Sequence, residues 1–576
     1  MTSSSSPLAP SAESLPGLAD AVRDLADVLG ARFAARARQH TTLGSQRAIL
    51  RAIGVAGVGP AGRPLALDVV ERLAATHPPL LASGIALPFA LAAYEYDLEP
   101  QQVALEIVAG HIDLSAEAAL LSTRARSAPA RALLDSWLAE ADDRFDANAV
   151  ARAELAVLLG EPRWPCIAIE EHAFDARDAA GRARNALRAG VDLVRVRIPR
   201  DGELRDDLGS IAPEDEWPVG PEAPAPTGSQ RGLAMLRAAL DEAGAIVGRS
   251  PGLAVRRVGL AAPEVAVVAG FERADVVFVD PIEAIEQAGI DVDRALADHA
   301  AADALLARTD VRLGLGCGSS IAEAGIGAAD DADPGARDAS ASKRRAEAGG
   351  RALALQALSR AFAMHAGFPG DRLDLAACPP FAAQADRPLR ALVEVALRTL
   401  LFPGHRLVIE RDVADAVGPG LAGLLAACVS GGADLGIVFE ADDGSWGGEA
   451  QRIGEAKALT AAAGAGRALG SSRSIGKLRG EALDMAVATL AEARHVLGEV
   501  ERRGLAAIVG RGSGLGARGL VRGSDGDPGM AWVWGMQPAR PGSARSRVAS
   551  RSGHTGSTAA GDRGAGDPAA GDSLNR

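Results

Sequence analysis

Eight short apolar runs, each followed by a stretch of helical periodicity, fill the middle of this chain: 166–169, 193–198, 255–260, 276–279, 311–315, 373–376, 407–410 and 435–439. Continuous apolar runs of this length are the mark of strands buried on both faces, and strands alternating with helices predict a parallel sheet. Eight such units close on themselves as a TIM-type barrel, so the predicted fold class is α/β, a (β/α)8 barrel. A barrel of this kind places its chemistry in the loops that follow the strands, which turns 576 residues into a question about eight loop beginnings.

The flanks read differently. Residues 1–12 are Ser/Pro-rich and are expected to be disordered. Residues 13–160 carry apolar positions at helical spacing, such as Leu18, Val22, Leu25 and Leu29, and predict a helical N-terminal region. Trp164-Pro165 marks its end, and the barrel is expected over 161–448. C-terminal helices are expected over 449–509, the best of them amphipathic over 481–503. From 510 to 576 Gly, Ser, Arg and Asp dominate, which predicts a mostly disordered tail with order only around 530–536. Two insertions, 199–229 and 322–350, interrupt the barrel after its second and fifth strands.

Charge and composition exclude several functions. A net charge of −13 argues against nucleic acid or anionic lipid as a partner. No apolar run approaches the roughly 20 residues needed to cross a membrane, and the first 15 residues lack the basic and apolar regions of a secretory signal. Cys166, Cys317, Cys378 and Cys428 stand far apart with no C-x-x-C pair, so neither a zinc site nor a redox dithiol is expected. A reducing cytoplasm fits best. Of 61 basic residues only Lys343, Lys457 and Lys477 are lysines, so imine chemistry by this chain would have to use one of those three.

Several segments in order resemble the α subunit of lysine 5,6-aminomutase. They begin at His40-Thr41-Thr42 and run through Arg47-Ala48 and Leu50-Arg51-Ala52-Ile53-Gly54-Val55 to Ala109-Gly110-His111-Ile112-Asp113-Leu114. They continue in Ala189-Gly190-Val191-Asp192-Leu193-Val194 and, best of all, Leu236-Arg237-Ala238-Ala239-Leu240-Asp241-Glu242-Ala243-Gly244. Gly259-Leu260-Ala261-Ala262-Pro263-Glu264 and Phe271-Glu272-Arg273-Ala274-Asp275-Val276 follow, and Arg503-Gly504-Leu505 resembles the family's ending. The likeness spans most of 20–525 and rests on collinearity rather than on one diagnostic motif.

The resemblance implies a helical N-terminal region, a barrel, and a partner β subunit that carries a cobalamin domain and the lysine that holds pyridoxal phosphate. It implies adenosylcobalamin and pyridoxal phosphate as cofactors, an amino-acid substrate, and an isomerase reaction of the intramolecular aminotransferase class, a radical 1,2-amino shift on lysine or a relative. This chain lacks a D-x-H-x-x-G cobalamin motif, as an α subunit would. Its strand-end loops depart from the family's. Of the family's Asn-Asp after the fourth strand only Asp280 remains, and Gly316-Cys317-Gly318-Ser319-Ser320 stands where the family has Thr-Gly-Glu-Asp-Asn. The lysine-bearing loop after the seventh strand is replaced by Glu410-Arg411-Asp412. A non-catalytic or repurposed barrel that has lost the cofactor-binding loops is the alternative.

Position at strand ends selects the candidate binding residues for substrate or cofactor. They are Glu170 and His172 after the first strand, Arg197 at the second, Asp280 after the fourth, Ser319 and Ser320 after the fifth, and Glu410 at the seventh. Carboxylates beside a histidine can exchange protons, an arginine can pair with phosphate or carboxylate, and a Gly/Ser turn can present donors to a phosphate. The plain reading of each is a solvated loop charge or an ordinary turn. Arg256-Arg257 reads as barrel packing or the end of a strand.

Overall fold

A computed structural model describes residues 14–57, 59–60, 64–160, 166–171, 176–197, 230–257, 261–288, 290–316, 337–377, 387–412, 435–440, 481–509, 520–523 and 527–535. Helix α1 (Leu15–Ala37) starts where Ser14 caps the amide of Gly17 and a proline follows, and it buries Leu18, Val22, Ala26 and Leu29. That face packs on α14 (Arg337–Ala366) and α16 (Glu481–Arg503). At Gly30 the helices approach so closely that a Cβ would lie 2.7 Å from the backbone of Ala361 and Phe362, so only glycine fits. Helix α2 (Leu43–Ala52) begins with a reciprocal Thr42–Ser45 capping box and is buried nearly all round. Helices α3 (Leu65–Thr76) to α7 (Leu114–Leu120) complete this layer, and α8 (Arg124–Leu159) leads to the barrel.

The eight expected strands are all present, as β2 (Cys166–Glu171), β3 (Leu193–Arg197), β4 (Gly252–Arg256), β5 (Val276–Phe278), β6 (Arg312–Leu315), β7 (Leu373–Ala377), β8 (Arg406–Asp412) and β9 (Leu435–Glu440). Each pairs in parallel with the next, and β9 pairs with β2, which closes the barrel. The connecting helices include α9 (Ala176–Ala189), α10 (Gln230–Val247), α11 (Ala262–Phe271), α12 (Pro281–Ala288), α13 (Val292–Ala307) and α15 (Arg387–Leu401). Strand residues alternate between two faces. Cys166, Ala168, Leu193, Ala254, Val276, Phe278, Ala376 and Val408 form one cluster, the lumen, while Ile167, Val194, Leu253, Val277, Leu313 and Leu375 join the larger core shared with the helices.

Three sequence expectations change. The third barrel strand ends at Arg256 rather than running over 255–260, because Pro251 is tolerated just ahead of a strand and Gly252-Leu253-Ala254 supply its small and apolar start. Helix α14 starts at Arg337, so part of the expected insertion 322–350 is helical. The helical region contains a strand, β1 (His40–Thr42), whose antiparallel partner β10 (Leu520–Arg522) lies in the segment expected to be mostly disordered. After it comes the ordered turn expected near 530, helix α18 (Pro528–Val533), preceded by α17 (Ala506–Val509) in chain order. Asp527 caps α18 and accepts a hydrogen bond from Gln46 Nε2 at 3.2 Å. Trp532 is fully buried, with Nε1 donating to Asp142 Oδ2 at 3.3 Å. Burial of this side chain outweighs the polar composition around it. The expected disordered start, the 199–229 insertion and residues 449–480 lie outside the described residues.

Candidate active site at the strand ends

Register determines which groups meet at the C-terminal end of the barrel. Glu170 follows Ala168 on the lumen face of β2 and stands opposite Arg195 of β3. The Arg195 Nε donates to Glu170 Oε2 at 2.5 Å, both side chains fully buried, and the guanidinium lies 5.1 Å from the centre of the Phe278 ring. A charged pair here replaces one layer of the aliphatic side chains that fill most barrels. Such a pair persists only because each charge is matched, since desolvating either alone would cost several kcal/mol. Glu171, on the outer face, pairs with Arg182 of α9 at 3.1 Å.

Above that pair the ends of β4, β5 and β6 converge. Arg256 is the last residue of β4, on the lumen face and 4% exposed. Its Nη2 lies 3.7 Å from Oε1 of Glu283, in the first turn of α12. The Glu283 carboxylate rests against the backbone at the end of β6: a Cβ on Gly316 would lie 2.0 Å from Oε1. Glycine at 316 therefore makes the space that this carboxylate fills.

Asp280 belongs to the helix layer. Its Oδ1 accepts hydrogen bonds from the amides of Ile282 at 2.7 Å and Glu283 at 3.3 Å, capping α12, and from the Ser359 hydroxyl of α14 at 3.2 Å. Burial, then the nearby Glu283, push its carboxyl up to about 8. Burial and the neighbouring Asp280 push Asp303 of α13 well above the usual carboxylate range. Burial raises Glu286 to about 7 although Arg351 pulls the other way from 3.1 Å. His299, one helical turn before Asp303, donates through Nδ1 to the Ala295 carbonyl at 2.7 Å, and burial lowers it to about 4. In this corner burial disfavours the charged form of each of these groups.

Of the seven residues selected from sequence, the side chains of Glu170 and Asp280 are described, and they serve different partners, Arg195 in the lumen and the α12 amides with Ser359 outside it. The β3 backbone places Arg197 opposite Arg256, and Glu410 lies in β8 opposite Val438. The side chains of Arg197 and Glu410 are not among the described ones, and His172, Ser319 and Ser320 lie outside the described residues altogether. Sequence reasoning passed over Arg195, Asp303 and Ser359. Arg195 had a signal, a charge at alternate positions within an apolar strand, and Asp303 had another, the His-x-x-x-Asp spacing inside an Ala-rich helix. Ser359 had none.

The opposite end of the barrel holds a cavity of about 300 Å³ between α8 and the strand beginnings, lined among others by Asn148, Cys166, Leu193, Arg312 and Arg406. Burial pushes the Cys166 thiol up, away from its reactive form. In barrels of this plan the strand beginnings serve stability rather than chemistry. Among the described residues no group of three or more His, Cys, Asp or Glu side chains could hold a metal ion, and no helix is long and apolar enough to cross a membrane.

Residues 16–331 match the family model described as the TIM-barrel domain of the D-lysine 5,6-aminomutase α subunit. The lysine 5,6-aminomutase α subunit of Acetoanaerobium sticklandii is 27% identical over 261 residues, 45% of this chain and 48% of that one. Its counterpart from Fusobacterium nucleatum is 26% identical over 290 residues, 49% of this chain and 52% of that one. The chain thus spans about half the length of the curated relatives it matches. Among solved structures, dihydropteroate synthase of Yersinia pestis aligns over 54% of this chain and 93% of that one, at 12% identity and a TM-score of 0.30.

Proposed function

The chain belongs to the family of lysine 5,6-aminomutase α-subunit barrel domains, and from that premise we propose that it is a divergent α subunit. In this reading it performs a radical 1,2-amino shift on lysine or a related amino acid, as an isomerase, together with a cobalamin-binding β subunit in the cytoplasm. The observation that carries the reading is the family match over a closed barrel whose strand ends gather buried charged groups.

The donor set at the described mouth fits the anionic group of pyridoxal phosphate at one place. Arg256 stands at a strand end on the lumen face, 3.7 Å from the Glu283 carboxylate, and a guanidinium so placed suits an anionic oxygen group. Arg256 would hold the phosphate, with Glu283 beside its guanidinium. Pyridoxal phosphate would supply the conjugated carrier for a migrating amino group and adenosylcobalamin the radical that starts the migration. The cobalamin is assigned to the β subunit and to no residue of this chain. Beneath Arg256 the Arg195–Glu170 pair and Phe278 close the lumen, which keeps water from reaching the site from below.

A second reading, a non-catalytic or repurposed barrel, is favoured by one observation. Asp280, the strand-end residue that agrees with the family, is occupied as a buried helix cap. An absorption titration separates the two. The purified chain, with and without its candidate β partner, is mixed with pyridoxal phosphate and adenosylcobalamin, and assayed on lysine isomers. A complex that perturbs both spectra and turns over lysine supports the aminomutase. A folded complex that perturbs neither sinks it in favour of the second reading.

A further inference from the structure

Between Leu353 and Phe362 the buried residues of α14 are leucine, alanine and phenylalanine, with two exceptions, Gln356 and Ser359. Three positions apart, the two lie on one face of the helix, and both reach the barrel mouth. Ser359 meets Asp280, the cap of α12. Gln356 reaches the strands themselves: its Nε2 donates to the Ala376 carbonyl of β7 at 2.5 Å and to the Gly316 carbonyl at the end of β6 at 3.2 Å. The β6–β7 ladder runs as far as Leu315 opposite Leu375, and Gly316 and Ala376 are the next residue on each side. One side-chain amide therefore spans the two strands where their own ladder stops. Its Oε1 accepts from Arg398 Nε of α15 at 2.9 Å. A guanidinium only donates and a backbone carbonyl only accepts, so the amide can sit one way round. Gly316 is also the backbone against which the Glu283 carboxylate rests, and Glu283 stands 3.7 Å from Arg256. A continuous line of contacts thus runs from Arg398 through Gln356, Gly316 and Glu283 to Arg256.

We propose that Gln356 is a positioning residue for the strand-end site: by tying the end of β6 to β7 it sets the Gly316 backbone on which Glu283 rests, and with it the place where Arg256 presents its guanidinium. It acts through Glu283 and Arg256. That Arg256 receives a phosphate rests on the aminomutase reading; that Gln356 sets its place does not. Arg398 holds the amide in the orientation that aims both N–H groups at the strands. Ser359, one turn further on, fixes the other side of the same mouth by bonding the residue that caps α12. The polar face of α14 is in this way a brace across β5, β6 and β7, built from two side chains in an apolar helix.

Two substitutions test this in the full chain. Gln356→Met fills the same space and donates nothing, and Gln356→Glu, when ionised, keeps an acceptor for Arg398 and loses both donors. Hydrogen–deuterium exchange is read by mass spectrometry on the peptides that contain 276–288 and 371–377, against the peptide that contains 481–503. Pyridoxal phosphate is titrated by absorption with the candidate β partner present. Each variant is expected to lose protection about tenfold or more in the first two peptides and to keep it in the third, and to bind pyridoxal phosphate about tenfold or more weakly. Unchanged protection in the first two peptides overturns the proposal. So does an equal loss in all three, which would make the glutamine a general stabiliser, and so does local loosening with wild-type affinity. If the wild type binds no pyridoxal phosphate, the aminomutase reading fails on its own and the exchange decides: a loss confined to the first two peptides supports the positioning role, and any other pattern overturns it. Failure of both variants to fold also overturns it, because the residue would then hold the fold rather than aim the site.

Discussion

Two regions of the barrel domain treat charge in opposite ways. At the strand beginnings several buried or half-buried arginines are matched by carboxylates. Arg249 pairs with Asp192 at 2.5 Å, Arg312 with Asp374 at 2.7 Å, and Arg152 and Arg237 both reach Asp241 and Asp275. Their carboxylates also accept backbone amides, Ile167 to Asp192 and Leu253 to Asp275. In the helix layer beside β5, Asp280, Glu286 and Asp303 are instead held above their ordinary range. The first arrangement stitches neighbouring strands together and favours folding. The second costs stability wherever those acids are ionised.

The contrast can be broken most forcefully at the bottom. Asp192→Ala takes the carboxylate partner from Arg249, leaving it three backbone carbonyls, and takes the acceptor from the Ile167 amide; it is expected to lower unfolding free energy by about 3–5 kcal/mol in urea melts. A loss under about 1 kcal/mol would mean that these arginines rearrange freely and do not staple the barrel.

Next comes Glu264, which joins the helical layer to the barrel. Burial alone would raise its carboxyl, but Arg47 and Arg51 overcome that and hold it at about 2. A depressed acid contributes stability above its unfolded value, near 4.3, and loses it as pH falls toward 2. Glu264→Gln should therefore destabilise the protein at neutral pH and flatten its acid limb, and a melting curve with an unchanged acid limb would refute the assignment.

Asp280 has the opposite sign. Its raised carboxyl contributes most below about pH 4, and that contribution fades as pH rises through about 8. Asp280→Asn should flatten the decline in melting temperature over this window. Asp280→Ala removes the α12 cap as well and should cost about 1–2 kcal/mol. A melting temperature unmoved by the alanine would show that the cap carries no stability and that the residue is free for ligand chemistry.

The smallest effect is expected at Gly316→Ala. The new methyl meets the far end of a flexible side chain, so Glu283 can swing aside for roughly 1 kcal/mol or less. A destabilisation several times larger would show that the mouth is packed as rigidly as the bottom.

How much of this was legible depended on how local the signal was. The strands could be read because each is a continuous apolar run, and the helix over 481–503 because its periodicity lies in one window. The family segments also lie where the framework is, in strand beginnings and packing helices. What escaped requires register or distance. Arg195 finds Glu170 only once β2 and β3 are aligned, and β4 was displaced because a short glycine-containing strand start carries little pattern. Strand β1 is three residues long with a partner some 480 positions away, a pairing no local window contains. Trp532 was half visible: order was expected around 530–536, but the polar composition around it hid that it plugs a core.

That distant pairing has a consequence for how the molecule is made. At about 5–20 residues per second, a ribosome needs roughly half a minute to a minute and a half between releasing β1 and supplying β10. For that whole interval His40–Thr42 presents an open sheet edge, a template for any passing strand. A chain whose synthesis stops short of residue 520 keeps that edge permanently, along with the unfilled seat of Trp532. The final turn of the described chain thus works as a completion seal, and unfinished copies carry on their surface the exposed backbone by which a chaperone or protease can tell them from finished ones.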